Sequence, residues 1–351
     1  MSTKIENSKP LFSICIPNYN YATYMDTTLS SLKAQTIQNF EVNVVDNASN
    51  DGSVEVIQKH LDNGLPIRFM VNPSNIGFAG NLDKVGALAK APWMIMLSSD
   101  DVVNKNAIEI YTKFIGEFGS QQNFAFCSTF EKIDGSGNFI EHLSPSSSSI
   151  WYKSDINQEL TEKMGFDVYQ VSSGEMLNRC LTKFLNPFNF ASTCYPKKQY
   201  EKIGGYGGGR LYNPDKWFHW KLLVEVDFVY SLDSPLFKYR WHNNNQANQQ
   251  QQNQILKYWI DEYRNCFEVT NEMLNKSGLS SGSIAQNFVD RCIIPYVYKH
   301  LKEGNRLLGK RILHFGLSCY PTQLKKNKFY YPMYILCGIP FSNLLLSKFN
   351  K

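Results

Sequence analysis

Between Leu11 and Asp101 the chain repeats one pattern four times: a short apolar run, a polar turn, then a stretch or turn that leads into the next run. Leu11–Ile16, Phe40–Val45, Ile67–Val71 and Trp93–Leu97 are the apolar runs, and helices are expected near 22–35, 54–61 and 79–90 between them. Such alternation calls for a parallel α/β sheet covered on both faces. Trp93-Met94-Ile95-Met96-Leu97 is apolar throughout and reads as a fully buried strand. It ends in Ser98-Ser99-Asp100-Asp101. Ligands of open parallel sheets gather beyond the carboxyl ends of the strands, so chemistry is expected there. Two adjacent carboxylates are costly to desolvate unless a cation sits against them. The pair is therefore either a turn capped by two solvated acids or a grip for Mg²⁺ or Mn²⁺, which take one or two carboxylates along with phosphate oxygens.

Several classes fall away on composition and spacing. A net charge of +5 over 351 residues, with no run of Lys and Arg interleaved with aromatics before the last 30 residues, does not describe a nucleic-acid binder. The eight cysteines form no CxxC, which favours buried thiols over disulfides or a zinc site. The segment MSTKIENSKP is not the start of a signal peptide, so a cytoplasmic protein is expected. A dinucleotide fold needs Gly-x-Gly-x-x-Gly after its first strand, and Pro17-Asn18-Tyr19-Asn20 has no glycine. That argues against a dehydrogenase. The same turn lacks the Gly-rich, basic phosphate loop of a sugar nucleotidylyltransferase.

Beyond Asp101 a helix is expected near 104–118 and a strand over Phe124–Phe130. Asp134-Gly135-Ser136-Gly137 is a hairpin signal, and Ser146–Ser149 reads as a flexible tract. A helix over 173–184 and a strand over 188–196 follow. Ile203–Gly209 is too rich in glycine for regular structure. Pro214 and Asp215 then carry the marks of a helix start. Phe228–Leu232 and Leu236–Arg240 read as two short strands, the second leading to His242. Residues 243–254 are almost wholly Asn and Gln, a hinge that sets a boundary near 246 between a domain over 1–245 and a helical extension over 246–351. In the extension Ile255, Tyr258, Trp259, Tyr263 and Phe267 share one helical face. Further helices are expected near 283–303 and 305–316. Phe329–Ser347 carries no charge and follows Lys325, Lys326 and Lys328. Its prolines argue against a spanning helix, leaving an interfacial segment on an anionic membrane leaflet or a pair of apolar helices packed on protein.

Taken together these residues resemble the large family 2 of inverting glycosyltransferases with the GT-A fold. Ser13–Asn20 resembles its opening strand and Pro-x-Tyr-Asn turn, and Gln35-Thr36 through Val44–Ser53 its second motif. Asn75-Ile76-Gly77 with Asn81 matches the Asn-x-Gly…Asn element, and Ser98-Ser99-Asp100-Asp101 stands where the family has Asp-x-Asp-Asp. Asp215 falls on the aspartate of the family's Glu-Asp pair, and Tyr239-Arg240-Trp241-His242 resembles its terminal Tyr-Arg-x-His. The resemblance covers about residues 11–245. Ser98 and Pro214 depart from it, each replacing an acid.

The resemblance implies a mostly parallel central sheet flanked by helices and a sugar donor carried on a nucleoside diphosphate, a UDP-sugar in the first instance. Asp46 would contact the nucleobase, beside Pro17, Asn18, Tyr19 and Asn20 as pocket wall; an Asx turn is the plain alternative for Asp46. Asn75, Gly77 and Asn81 belong to the same donor site, with Ser99 by the ribose. Asp100 would hold the Mg²⁺ or Mn²⁺ that bridges the diphosphate, with His242 as a further ligand. Asp101 is either a second acid acting through water or a helix cap. Asp215 would be the general base that deprotonates an acceptor hydroxyl, since one carboxylate suffices for an inverting displacement. The Gly204–Gly209 loop would order over the donor. His60, His142, His219, His300 and His314 show no partner pattern and are expected to be structural. The acceptor would be a glycan or a lipid-linked sugar in surface polysaccharide synthesis, met at the inner face of the membrane. Ser98 and Pro214 keep a second class open, a non-catalytic protein that binds nucleotide sugars.

Overall fold

The computed structural model describes residues 9–339 except 120, 122, 208–213, 243, 244 and 246–254. The described residues form two compact units, one of 1–176 with 186–255, the other of 177–185 with 256–351. The boundary expected near 246 lies outside the described residues.

The first unit is built on a sheet of ten strands. These are β1 (Phe12–Asn18), β2 (Phe40–Asp46), β3 (Ile67–Val71), β4 (Trp93–Met96), β5 (Val102–Val103), β6 (Phe124–Asp134), β7 (Phe139–Leu143), β8 (Val168–Ser172), β9 (Cys194–Pro196) and β10 (Phe228–Trp241). The helices between them are α1 (Ala22–Lys33), α2 (Ser53–Asp62), α3 (Phe78–Gly86), α4 (Ala107–Gly116), α5 (Gln158–Met164), α6 (Ser173–Lys183), α7 (Lys197–Ile203) and α8 (Pro214–Glu225). Strand order runs β3-β2-β1-β4-β9-β6-β10-β5, with β7 beside β6 and β8 beside β10. The four strands that the alternation predicted are parallel neighbours. β6 and β10 are parallel as well, but β9 runs antiparallel between the two groups. The sheet is mixed, with its β3-β2-β1-β4 half parallel.

Three local expectations are corrected. The strand expected over 188–196 is only Cys194–Pro196, because side chains tie the preceding segment into a loop: Asn189 Nδ2 and Ser192 Oγ both donate to Ser128 O. The two short strands 228–232 and 236–240 are one strand, β10, with register shifts about Pro235. A proline there has no N–H to give, which suits a bulge. Ser146–Ser149 is held by a 3₁₀ turn at Pro145–Ser147, with Ser144 Oγ 2.8 Å from Asp233.

The core explains why these strands hold. Trp93, Phe124, Phe126, Tyr111 and Phe114 pack as one aromatic cluster, with Tyr111 and Phe126 centroids 4.7 Å apart. That core places the carboxyl ends of β1, β2 and β4 side by side.

The second unit is helical: 255–267, 271–277, 281–288, 294–302, 306–319, 321–326 and 330–338. A π-helical turn, Val289–Ile293, precedes Pro295, whose missing N–H breaks the α-helical ladder. A Cβ on Gly316 would stand 2.9 Å from Ile293 Cγ2, so this crossing needs a glycine. No helix among the described residues is long and apolar enough to cross a membrane. Residues 340–347 of the apolar C-terminal stretch lie outside the described residues.

Candidate active site

The tips of β1, β2 and β3 are joined by a web of amides. Asn18 Nδ2 donates to Asp46 Oδ2 at 2.7 Å, and Ser49 donates to the same carboxylate through its backbone N–H (2.8 Å) and its hydroxyl (2.6 Å). Asp46 is fully buried and closes an Asx turn with Ser49. Asn81 Nδ2 reaches Val45 O and Asn18 O, while its Oδ1 accepts from Asn72. Asn47 Nδ2 donates to Asn75 Oδ1, which also accepts from Gly77 N. Asn81 thus braces the strand ends from beneath. Tyr19 and Asn20 stand on the surface above, Tyr19 with 43% of its area exposed and Asn20 in the left-handed region at φ 57°. Asp51 accepts from Ala22 N and from Ser53.

The turn after β4 is fixed on both sides. Ser99 turns its hydroxyl inward to Pro17 O at 2.8 Å. Arg240, near the end of β10, donates through Nε to Asp100 O at 2.9 Å and through its backbone N–H to Asp101 Oδ1 at 3.0 Å. Its guanidinium also reaches Asp134 O and Gly135 O and lies 4.9 Å over the Tyr24 ring. Arg240 therefore locks the backbone of the acidic turn and spends its donors largely on carbonyls. The Asp100 carboxylate faces His242, with Nε2 at 3.0 Å, and Asn245 Nδ2 at 3.3 Å. Tyr24 packs on that imidazole with centroids 4.6 Å apart.

Burial, and next the charge of Asp100, push the Asp101 carboxyl well above the usual carboxylate range. Burial first, then the charges of Asp100 and Asp101, push the Tyr21 and Tyr239 hydroxyls up. Asp101 Oδ2 is buried with no hydrogen-bond partner among the described residues. The turn thus concentrates negative charge that the protein compensates only in part. No three His, Cys, Asp or Glu side chains among the described residues are grouped as a metal cage. Asp100 and His242 meet; Asp101, expected with them, is drawn onto Arg240 N. A carboxylate and an imidazole fit a divalent ion that completes its shell with diphosphate oxygens and water.

A pocket of about 180 Å³ opens beside this turn, lined by Ser98, Asp101, Phe130, Phe237 and Tyr239 on one side and by Asn189–Ala191 on the other. The segment carrying Asn189 also carries Asn186, whose Nδ2 donates to Asp215 Oδ2 at 2.8 Å. Asp215 lies in the first turn of α8, where burial raises its pKa while the Lys216 N–H and Asn186 work the other way. Ahead of α8 the glycine loop begins with Gly205 at φ 76°, where a Cβ would meet Asp83 Oδ1 at 2.5 Å. Asp83 accepts from Tyr206 N at 2.6 Å and pins the loop there. Gly208 and Gly209 lie outside the described residues. Among the other histidines, His60 meets Asp26 at 3.0 Å and His219 meets Asn186 at 2.7 Å. Sequence reasoning missed Asn186 and Asn245, because a lone Asn far along the chain from its carboxylate leaves no spacing to read.

A mixed sheet with acids at the tip of its fourth strand, an opposed His just after its last long strand and an adjoining pocket is the arrangement of the GT-A fold. Residues 13–176 match the family model described as glycosyl transferase family 2. Hyaluronan synthase of Pasteurella multocida is 36% identical over 107 residues, which are 30% of this chain and 11% of that protein. The chain spans 11–20% of the length of the first curated relatives it matches. S. aureus TarS in complex with UDP-GlcNAc superposes with a TM-score of 0.62 at 15% identity, over 97% of this chain and 92% of that one. The mannosyltransferase PcManGT of Pyrobaculum calidifontis, in complex with GDP-Man and Mn²⁺, gives 0.53 at 11% identity, over 98% and 88%. Both likenesses concern the fold.

Proposed function

We propose that this chain transfers a sugar, with inversion, from a UDP-linked donor to a hydroxyl of a glycan or lipid-linked acceptor in surface polysaccharide synthesis. The observation that carries the reading is the meeting of Asp100 and His242, two side chains 142 positions apart, at the carboxyl end of β4 beside a pocket. TarS binds UDP-GlcNAc and hyaluronan synthase is named for a polysaccharide product, and both support the reading.

In this reading Asp100 and His242 hold a divalent ion against the donor diphosphate. When bound there, Mg²⁺ or Mn²⁺ supplies Lewis acidity to the departing nucleoside diphosphate. Arg240 keeps the Asp100–Asp101 backbone in place, and Asp101, drawn aside by Arg240, tunes the charge of the turn through space or through water. Tyr19 stacks on the nucleobase. Asp46, buried under Asn18 and Ser49, orders the β1–β2 tips that face the base, while Asn75, Gly77 and Asn81 keep those tips aligned. Asp215 accepts the proton of the acceptor hydroxyl as that oxygen attacks the anomeric carbon. Its raised pKa makes it a stronger base than a solvated aspartate.

The last described helix supports a place at the membrane surface. Tyr331, Tyr334 and Ile335 of 330–338 are exposed on one face, and Lys325, Lys326 and Lys328 just before it are exposed too. An apolar face with a basic collar suits an anionic inner leaflet. The function is tested by screening nucleotide sugars, with and without Mn²⁺, for protection against thermal unfolding. UDP-sugars are expected to raise Tm only when the metal is present. Protection by a UDP-sugar with no turnover on any acceptor would make the chain a binding protein.

A further inference from the structure

We propose that Asn186 and His219 are positioning residues for Asp215, joined to it by a directional chain of hydrogen bonds that aims its carboxylate and keeps it ionised. The proposal rests on the reading of Asp215 as the general base.

The chain is short and its polarity is forced. Asn186 Nδ2 lies 2.8 Å from Asp215 Oδ2, and a carboxylate can only accept, so the amide must turn its NH₂ toward Asp215. Its Oδ1 then faces His219 Nδ1 at 2.7 Å, and that contact is a bond only if Nδ1 carries the hydrogen. His219 is fully buried, with Phe188 set edge-on at 5.3 Å, and burial pushes its pKa down to about 3. The ring is therefore neutral at working pH and holds a single N–H. With Nδ1 protonated, Nε2 is a bare lone pair, and Nε2 is the atom that is buried with no hydrogen-bond partner among the described residues. One tautomer of His219 thus fixes one orientation of Asn186, which offers one donor to Asp215.

The sequence places the two helical members for this. Asp215 and His219 are four apart on α8 and so lie on one face, one turn from each other. Asn186 enters between them from the loop that also lines the pocket. The other groups acting on Asp215 are Lys216, through its backbone N–H and its charge, and Tyr206, which feels the Asp215 charge. Neither supplies a carboxamide donor. A His that merely filled the core needs no polar partner, whereas here its one N–H is spent on the residue that holds the base.

The test is a carboxyl titration on the full chain, which needs no substrate. With ¹³C-labelled aspartate, the Asp215 signal is the one lost in Asp215→Asn. Asn186→Leu removes a hydrogen bond to a charged group, so the Asp215 midpoint should move up by about one pH unit. His219→Leu should move it up by about half as much, because the long bond from Phe188 N–H (3.4 Å) is then the one left on Asn186 Oδ1 to hold the amide in that orientation. His219→Asn keeps an N–H near the Nδ1 position and should restore the wild-type midpoint, which a packing role would not require. Should Asn186→Leu fail to fold, Asn186→Ala serves with the same expected direction. An unmoved midpoint in the Asn186 variant, or equal shifts for His219→Leu and His219→Asn, overturns the chain. The base reading fails separately: Asp215→Asn retaining turnover of the nucleotide sugar found by the thermal screen overturns it, whatever the midpoints do.

Discussion

The tips of β1, β2 and β3, proposed to hold the donor, and the wall around Asp215, proposed to meet the acceptor, are built by opposite means. At the tips of β1, β2 and β3, Asn18, Asp46, Asn47, Asn72 and Asn81 bind one another and the backbone, so the turns are braced whether or not a ligand is near. At the wall, Asp215 is held by a single side-chain amide from a loop, and the glycine-rich stretch stands just before its helix. The difference teaches where function is carried. A nucleoside diphosphate is a constant ligand and rewards a preformed cradle, whereas an acceptor varies and is met by loops that few contacts fix.

That contrast can be broken by substitution. Asp215→Asn should cost about 10²–10⁴-fold in turnover while leaving UDP binding intact, measured by a coupled UDP-release assay beside calorimetry. Equal losses of binding and turnover would place Asp215 on the donor side. Asp100→Asn should do the reverse, weakening metal-dependent UDP binding by about tenfold or more, as a charge-assisted contact is removed. Asn81→Leu should lower stability by about 1–3 kcal/mol, since Asn72 loses one of its two acceptors and the carbonyls of Asn18 and Val45 each lose a donor. Chemical denaturation reads it, and a neutral result would mean that the cradle is not preformed.

A smaller effect follows from charge. Asp215 has a raised pKa when folded, so the folded chain binds its proton more tightly than the unfolded one. The resulting stability is present at low pH and is lost as pH rises from the ordinary carboxylate value through the folded one. Asp215→Asn should therefore raise Tm at neutral pH and do little at pH near 3. A lower Tm at neutral pH would mean that the carboxylate is stabilised by its surroundings, against a role as a strong base. The smallest expected effect is at the periphery, where Tyr331→Ser with Ile335→Ser should reduce sedimentation with anionic vesicles and leave UDP affinity unchanged.

How much of this the sequence revealed follows the range of the interactions. β1 to β4 are legible because each is a local apolar run, and the helices of the second unit because their apolar residues recur at helical spacing. Phe188–Pro196 misleads because Ser128, far back in the chain, takes the hydrogen bonds a strand would have needed. β10 reads as two strands because Pro235 looks like a terminator, while its neighbour β6 pairs with it on both sides of the bulge. In the site, Asp100, Asp215 and His242 stand out through their motifs. The division of labour between Asp100 and Asp101 does not, because it is decided by the backbone N–H of Arg240, which no sequence spacing reveals. Asn186 stays hidden for the same reason, and with it the link that joins His219 to Asp215.

The most direct test of the account is calorimetric titration of UDP into the wild-type chain and into His242→Ala, each with Mn²⁺ and with EDTA. The account predicts that Mn²⁺ tightens UDP binding to the wild type and has little effect in the variant. Equal UDP affinity with and without Mn²⁺ in the wild type would contradict it.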